Sequence, residues 1–278
     1  MNYLIADSGG TKTSWMFVDG EGRRSLTETL GINPVRDHET DIAERLESLN
    51  LSPAATNGEL KIFFYGAGCL PPYSQQMASL LTRRFPTAQI TVASDLLGAA
   101  QALCGSQEGI ACILGTGSNS CLYDGRSIVK NVSPLGYILG DEGSGAVLGR
   151  NLIGDLLKGQ MSHTLCQTFA DETGLTPSDI IENVYRRPQP NRFLASLVPF
   201  LDRHHMESEV HDFLLRNFRQ FFRRNVALYR RPDLPVSFVG GIAHSFRPEL
   251  AEAARSEGFQ IGKTLLRPIE AMTDFLTR

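Results

Sequence analysis

Hydrophobic positions open the chain in short runs rather than long helical stripes. Tyr3–Ala6 and Thr13–Val18 read as two buried strands, bent into a hairpin by Asp7-Ser8-Gly9-Gly10-Thr11-Lys12 between them. Asp19-Gly20-Glu21-Gly22 permits another reversal, and residues 23–30 supply a third strand before Gly31-Ile32-Asn33-Pro34 opens a loop. Helix and strand then alternate. Ile42, Leu46 and Leu49 share a helical face, Ile62–Tyr65 is strand, Pro72–Arg83 helix, Ile90–Ala93 strand and Leu96–Leu103 helix. The pattern predicts an α/β layer arrangement over residues 1–105, with helices covering a mixed sheet.

A second unit begins with the apolar strand Ile110–Leu114, the turn Gly115-Thr116-Gly117-Ser118 and a new strand from Asn119 to Tyr123. Asp124-Gly125 is a hairpin signal, with Ser127–Val129 as the returning strand, so the opening of the chain recurs in altered form as an internal duplication. Helices are expected over 146–157, 165–171, 178–185, 193–201 and 210–229, with Thr176-Pro177 marking one start. Pro235–Val239 restores a strand, Gly240-Gly241 stops it, and helices follow over 248–256 and 269–276.

Among 278 residues, 42% are hydrophobic and 21% charged, enough for a sizeable core and, at this length, for two domains. Twenty-seven basic against thirty acidic side chains leave a net charge of −3, so no global positive field draws the chain to nucleic acid or an anionic membrane. The five cysteines form no Cys-x-x-Cys pair and are expected to be reduced and mostly buried. Met1-Asn2-Tyr3 leads into only a short apolar run before Asp7, without the pattern of a signal or membrane segment, and a cytoplasmic protein is the expectation.

The chemistry concentrates in the glycine-rich turns. Asp7, two glycines and Thr11-Lys12-Thr13 after a strand suit phosphate handling: glycine allows close backbone approach, adjacent N–H groups and the Thr11 hydroxyl donate, and Asp7 can hold hydrated magnesium. The spacing is not that of a Walker loop, and an ordinary hairpin turn remains the plain alternative. Gly115-Thr116-Gly117-Ser118-Asn119 repeats the pattern, and Gly240-Gly241-Ile242-Ala243 adds a third turn against which a base or ribose can lie. Together they point to a nucleotide phosphate clamp.

In order and spacing, these turns resemble those of the N-acetylglucosamine kinase branch of the sugar kinase, heat-shock and actin-like ATPase superfamily, within the BadF/BadG-type group. Asp7–Thr13 is similar to the first phosphate motif, Gly115–Ser118 to the second, and Val239–Ala243 to the adenosine motif. The resemblance implies a duplicated ribonuclease H-like fold: a domain over 1–105, a nucleotide-binding domain with a helical insertion over 106–267, and a terminal helix over 268–278 returning to the first. It implies ATP and Mg2+ bound in a cleft, an amino-sugar acceptor, domain closure that excludes water, and a homodimer. The nucleotide residues would be Gly9, Gly10, Thr11, Lys12, Thr13, Gly115, Thr116, Gly117, Ser118, Gly240, Gly241 and Ala243, with Asp7 facing the metal.

Asp95 follows the strand 90–93 at a strand-to-helix junction; alone it can be a helix cap, and the resemblance makes it the base that deprotonates the acceptor's primary hydroxyl. Asn33, in a loop similar to the family's acceptor loop, either contacts sugar or stabilises its own turn. Thr116, Gly117, Asn119 and Gly136 are further acceptor candidates. Gly140-Asp141-Glu142-Gly143-Ser144 matches a family motif, with Asp141 expected on substrate and Glu142 capping the next helix.

Adjacent Asp141 and Glu142 also admit a glycosidase, which would need a carboxylate on the opposite face of the sugar. N-acetylmuramic acid or glucosamine kinase, and a non-catalytic sugar sensor, are the remaining alternatives. The cysteines lack the iron–sulfur pattern of the related dehydratase activators. Lys12 can point its ammonium to solvent while its backbone serves phosphate. Trp15 and Phe17 are expected in the core, the histidines in packing or surface roles, and the phenylalanines at 213, 218, 221 and 222 on the buried face of a helix with arginines outside.

Overall fold

The computed structural model describes residues 1–49, 51 and 59–278. It divides into two compact units, one formed by 1–107, 123–128 and 267–278, the other by 108–122 and 129–266. Each is built on one five-stranded sheet.

In the first unit the strands are β1 (Asn2–Ser8), β2 (Lys12–Val18), β3 (Arg24–Leu30), β4 (Leu60–Gly66) and β5 (Gln89–Ser94), in the order β3-β2-β1-β4-β5. The tight turns after Ser8 and Val18 make β1, β2 and β3 antiparallel, whereas the longer connections to β4 and β5 run parallel. Parallel register places Ser8 beside Gly66 and Gly66 beside Ser94, so the carboxyl ends of β1, β4 and β5 form one row. Leu4, Ile62, Phe64, Ile42, Leu46 and Met77 pack the core between the sheet and the helices Glu39–Glu47 and Tyr73–Arg84. Trp15 is 1% exposed, donates Nε1–H to Thr29 Oγ1 at 2.9 Å and lies 5.7 Å from the Phe64 ring. The helix Ile269–Leu276 packs against the helix Asp95–Cys104 and on β1 and β2.

The second unit holds β6 (Glu108–Leu114), β7 (Ser118–Asp124, whose last two residues belong to the first unit), β8 (Ile128–Val132, whose first residue does), β9 (Val236–Val239) and β10 (Ile261–Leu265), in the order β10-β9-β6-β7-β8. Matching β6 to β10 with β1 to β5 one by one in chain order reproduces the first sheet's arrangement, so the duplication read in the sequence is a duplication of topology. Phe213, Phe218, Phe221 and Phe222 line the buried face of the helix Ser208–Arg224 and pack with Phe238 and Phe246, as the pattern predicts.

Several elements depart from the sequence reading. The helix expected over 193–201 is two helices, Pro190–Ala195 and Val198–His204, because Pro199 lacks an N–H and serves in a new first turn instead. The helix expected over 210–229 ends at Arg224, and Val226–Tyr229 continues as a 3-10 turn; Asn225 leaves helical geometry and gives its amide to Glu142. The strand β10 carries Gly262 and Lys263 and shows no apolar run, and the short helices Gly136–Leu139 and Gly241–Ser245 fall below the length at which periodicity speaks.

Candidate active site

In the first unit, the aligned strand ends gather the candidate carboxylates. Asp7 lies one residue before the end of β1, and Asp95 opens the helix that follows β5. Ser94, not Asp95, caps that helix: its Oγ accepts the Leu97 N–H at 3.3 Å, while Asp95 Oδ1 accepts the Leu96 N–H at 2.9 Å. Burial pushes the Asp95 carboxyl up to about 6, against the backbone N–H groups of Leu96 and Asp95 that favour its charge. Burial, reinforced by the neighbouring Asp95 charge and opposed by Lys12, pushes Asp7 up to about 7.

The turn between β1 and β2 is closed by the Gly9 N–H on the Lys12 carbonyl at 3.0 Å, leaving Gly10 and Thr11 exposed. Its two buried hydroxyls face inward. Ser8 Oγ lies 2.6 Å from Thr13 Oγ1, donates to the Ile32 carbonyl at 2.9 Å and accepts the Ile32 N–H at 3.0 Å; Thr13 Oγ1 also donates to the Leu30 carbonyl at 3.3 Å. The Thr13 side chain is therefore committed to structure. The Lys12 ammonium lies 2.7 Å from Glu28, half-exposed, and Arg267 reaches the same carboxylate at 2.9 Å. These contacts hold Glu28 below its usual carboxylate range, with Lys12 the leading cause.

Gly31 lets the loop of Asn33 rest on this turn. Its N–H donates to the Thr11 carbonyl at 3.0 Å, and a Cβ there would stand 2.5 Å from the Gly9 carbonyl oxygen. Asn33 Oδ1 accepts the Val35 N–H at 3.0 Å, so the turn-forming role of this side chain is realised through its carbonyl. The sequence reading missed two arginines here. Arg36 Nη2 lies 3.1 Å from the position of a Gly10 Cβ, and Arg45 clamps the loop from the helix Glu39–Glu47. Neither belongs to a spacing that marks it in the sequence.

The second unit uses the corresponding end of its sheet. Register brings Ile113 beside Val239, so the turns after β6 and β9 are neighbours, and a Cβ on Gly240 would lie 2.2 Å from the Leu114 carbonyl oxygen. Gly240 has φ +123, which only glycine adopts at ease; Gly241 has open space, whereas Ala243 is buried in the core. Within Gly115–Ser118, the Gly115 N–H donates to Gly117, and the carbonyls of Gly115 and Thr116 accept the N–H groups of Gly145 and Ala146 at 2.8 and 3.0 Å. The turn is thereby tied to the Asp141–Gly145 loop.

Asp141 approaches Gly117, with Oδ2 3.1 Å from the position of a Cβ there. Burial pushes its carboxyl up to about 6, a hydrogen bond from the Ser118 N–H opposes the shift, and the Glu142 charge adds to it. Its φ of +54 is left-handed, and Gly136, which opens the short helix before this loop, has φ +75 with open space around it. Glu142 does not cap the next helix. Ser144 does, accepting the Val147 N–H at 3.2 Å, while Glu142 pairs with Arg224 and accepts from Asn225. Both carboxylate oxygens of Glu142 thus have partners on the helix Ser208–Arg224 and the residue after it. Asn119 Oδ1 accepts from the Ser120 N–H and from Asn131 Nδ2, each at 2.9 Å, so its carbonyl end is committed within the sheet.

Among the described residues no group of three His, Cys, Asp or Glu side chains could hold a metal ion, and no helix is long and apolar enough to cross a membrane. None of the five cysteines is in a disulfide, and His204, His205 and His211 pair with glutamates. Asp7 is an oxygen donor of the kind magnesium takes, and its pKa is raised first by burial and then by the second carboxylate close by, a charge that a cation would offset.

The chain matches no protein-family profile and no curated protein sequence. Solved structures do match. A candidate N-acetylglucosamine kinase from Porphyromonas gingivalis is 49% identical over 98% of both chains, with a TM-score of 0.93. A second, from Chromobacterium violaceum, is 22% identical over 99% of this chain and 98% of that one, with a TM-score of 0.76, and an ethanolamine utilization protein from Carboxydothermus hydrogenoformans is 15% identical over 98% and 87%, at 0.50; these two carry the fold alone. With the strand-end carboxylates and glycine turns in place, the first similarity shows that the chain belongs to the N-acetylglucosamine kinase-like branch of the BadF/BadG-type sugar kinase and actin-like ATPase superfamily, a branch of ATP-dependent phosphotransferases.

Proposed function

We propose that this chain phosphorylates an amino sugar, N-acetylglucosamine, at its 6-hydroxyl with ATP as donor. The observation that carries the reading is Asp95: a desolvated carboxylate at the carboxyl end of β5, with its pKa raised to about 6 and a second carboxylate near it. A base in this range is ionised at neutral pH yet basic enough to accept a proton as the hydroxyl becomes a nucleophile. Asp95 takes the proton of the 6-hydroxyl, the sugar oxygen bonds to the terminal phosphorus, and the bond to the bridging oxygen breaks to release ADP.

The other candidates take supporting parts. Gly10, Thr11, Thr116 and Gly117 would turn backbone and hydroxyl donors to phosphate and Ser118 its hydroxyl, while Gly9 and Gly115, whose N–H groups close their turns, would let phosphate approach the backbone, with Gly240 and Gly241 giving the adenosine a surface free of side chains. Thr13 and Ala243 would act through backbone, since both side chains face the interior. Lys12 would have to leave Glu28 to reach phosphate. Asp7 would hold magnesium, chiefly through water, and magnesium supplies charge neutralisation on the phosphates. Asn33, Thr116, Gly117, Asn119, Gly136 and Asp141 would receive the acceptor, Asn33 through its amide nitrogen because its oxygen serves the turn.

The test is incubation of the purified protein with ATP, magnesium and a panel of N-acetylglucosamine, glucosamine and N-acetylmuramic acid, with products identified by mass and phosphorylation position. The reading expects N-acetylglucosamine 6-phosphate. Absence of any sugar phosphate, with ATP and sugar still bound, would leave a sensor in its place.

A further inference from the structure

The loop of Asn33 is held from two sides by groups that no catalytic role explains. On one side Ser8 Oγ bonds both the N–H and the carbonyl of Ile32, fixing the loop to the end of β1. On the other, Arg45 Nη1 donates to the Gly31 carbonyl at 2.5 Å and to Asp37 Oδ2 at 2.7 Å. The same Asp37 oxygen accepts the Asn33 N–H at 2.7 Å, and the N–H groups of Arg36 and Asp37 close the turn on the Asn33 carbonyl at 3.0 and 2.9 Å. Arg45 and Asp37 are both mostly buried, unlike the exposed Arg83–Glu39 pair nearby.

Fixing a carbonyl and a carboxylate with one guanidinium sets the direction of the backbone between them. Both bonds leave the one nitrogen Nη1, whose two N–H bonds are fixed in the guanidinium plane, whereas a lysine ammonium carries the charge on hydrogens that rotate freely. A Gly68 Cβ would stand 2.6 Å from Asn33 Oδ1, so the turn after β4 limits the amide from a third direction. The Asn33 amide is thus oriented before any ligand arrives.

We infer that Asp37 and Arg45 are positioning residues for the acceptor, acting through Asn33 and setting the affinity and orientation of the sugar without touching it. The inference rests on the assignment of Asn33 to the acceptor. An oriented amide lowers the entropic cost of placing the sugar hydroxyl, so loosening it should weaken acceptor use while leaving the nucleotide side alone.

Steady-state kinetics of Arg45→Lys and Asp37→Asn, with Arg83→Gln as control, test this alongside amide hydrogen exchange of residues 31–37. Arg45→Lys is expected to raise the acceptor KM by about tenfold or more, with the ATP KM changed by less than about twofold. Faster exchange should be confined to the loop, and ATP hydrolysed per sugar phosphate formed should rise. Asp37→Asn, which keeps an oxygen for the Asn33 N–H, should shift the acceptor KM in the same direction by less. Arg83→Gln should match the wild type. An unchanged acceptor KM with unchanged loop exchange overturns the inference, as does an equal rise in both KM values with a general loss of protection. A wild-type protein that phosphorylates no amino sugar overturns the kinase reading itself, whatever the variants do.

Discussion

The two sheets share one strand order and use the same edge, yet they furnish that edge differently. The row of carboxyl ends in the first unit presents Asp7 and Asp95, two desolvated acids; the corresponding row in the second presents Gly115 and Gly240, where backbone is bare. The turns after β1 and β6 diverge likewise. The first spends its buried hydroxyls, Ser8 and Thr13, on the Gly31–Asn33 loop, whereas the second is held by backbone bonds to Gly145 and Ala146. A duplicated scaffold has kept its topology while one copy sets acids at its strand ends and the other sets glycines there, its own buried acid, Asp141, coming instead from the loop before the helix Gly145–Leu157.

The largest expected effect breaks the acidic half. Asp95→Asn should lower kcat by about 10²–10⁴-fold with nucleotide affinity little changed, read from initial rates and ATP binding by calorimetry. Full turnover in this variant would remove the contrast between the units. Next comes the glycine half: Gly240→Ala places a methyl against the Leu114 carbonyl oxygen at a φ of +123. It should destabilise the protein by about 2–4 kcal/mol in denaturant unfolding. An unchanged midpoint would mean that this turn accepts a side chain.

Ser8→Ala tests whether the hydroxyls of the first turn are structural. It strands the N–H and carbonyl of Ile32 and should cost about 1–3 kcal/mol of stability, more than any change in ATP affinity. The smallest effect concerns Asp141. Burial raises its pKa in the fold from 3.8 to about 6, so its contribution to stability is present below pH 3.8 and lost as the pH rises through 6. Asp141→Asn keeps an oxygen for the Ser118 N–H and tolerates the left-handed backbone. The variant should be more stable than wild type at pH 7, by about 1 kcal/mol or less, with the advantage shrinking toward pH 4 in thermal melts.

Four strands of the first sheet were legible from apolar runs bounded by turns and the third from the reversal before it, and the helix beginning at Pro177 from Thr176-Pro177, where the structure adds a capping box between Thr176 and Asp179. The break before Val198 and the end of a long helix at Arg224 were not, since each depends on a local partner or a proline that periodicity averages away. At the site, the glycine turns and Asp95 could be picked out by residue type and position after a strand. Thr13, Asn119 and Glu142 carried the right functional groups, but which partner takes a hydroxyl, an amide or a carboxylate is decided by residues far along the chain: Leu30 for the first, Asn131 for the second, Arg224 for the third. Arg45 was invisible for the same reason, being an ordinary charged residue of a surface helix until the Gly31 carbonyl is brought beneath it.

The chain has a single tryptophan, and Trp15 lies wholly within the first unit, sealed from water beside Phe64 and tethered to Thr29. Indole emission is therefore an intrinsic, label-free reporter of that half. Compared with far-ultraviolet circular dichroism, which sums over both halves, it tells whether they melt together or one before the other.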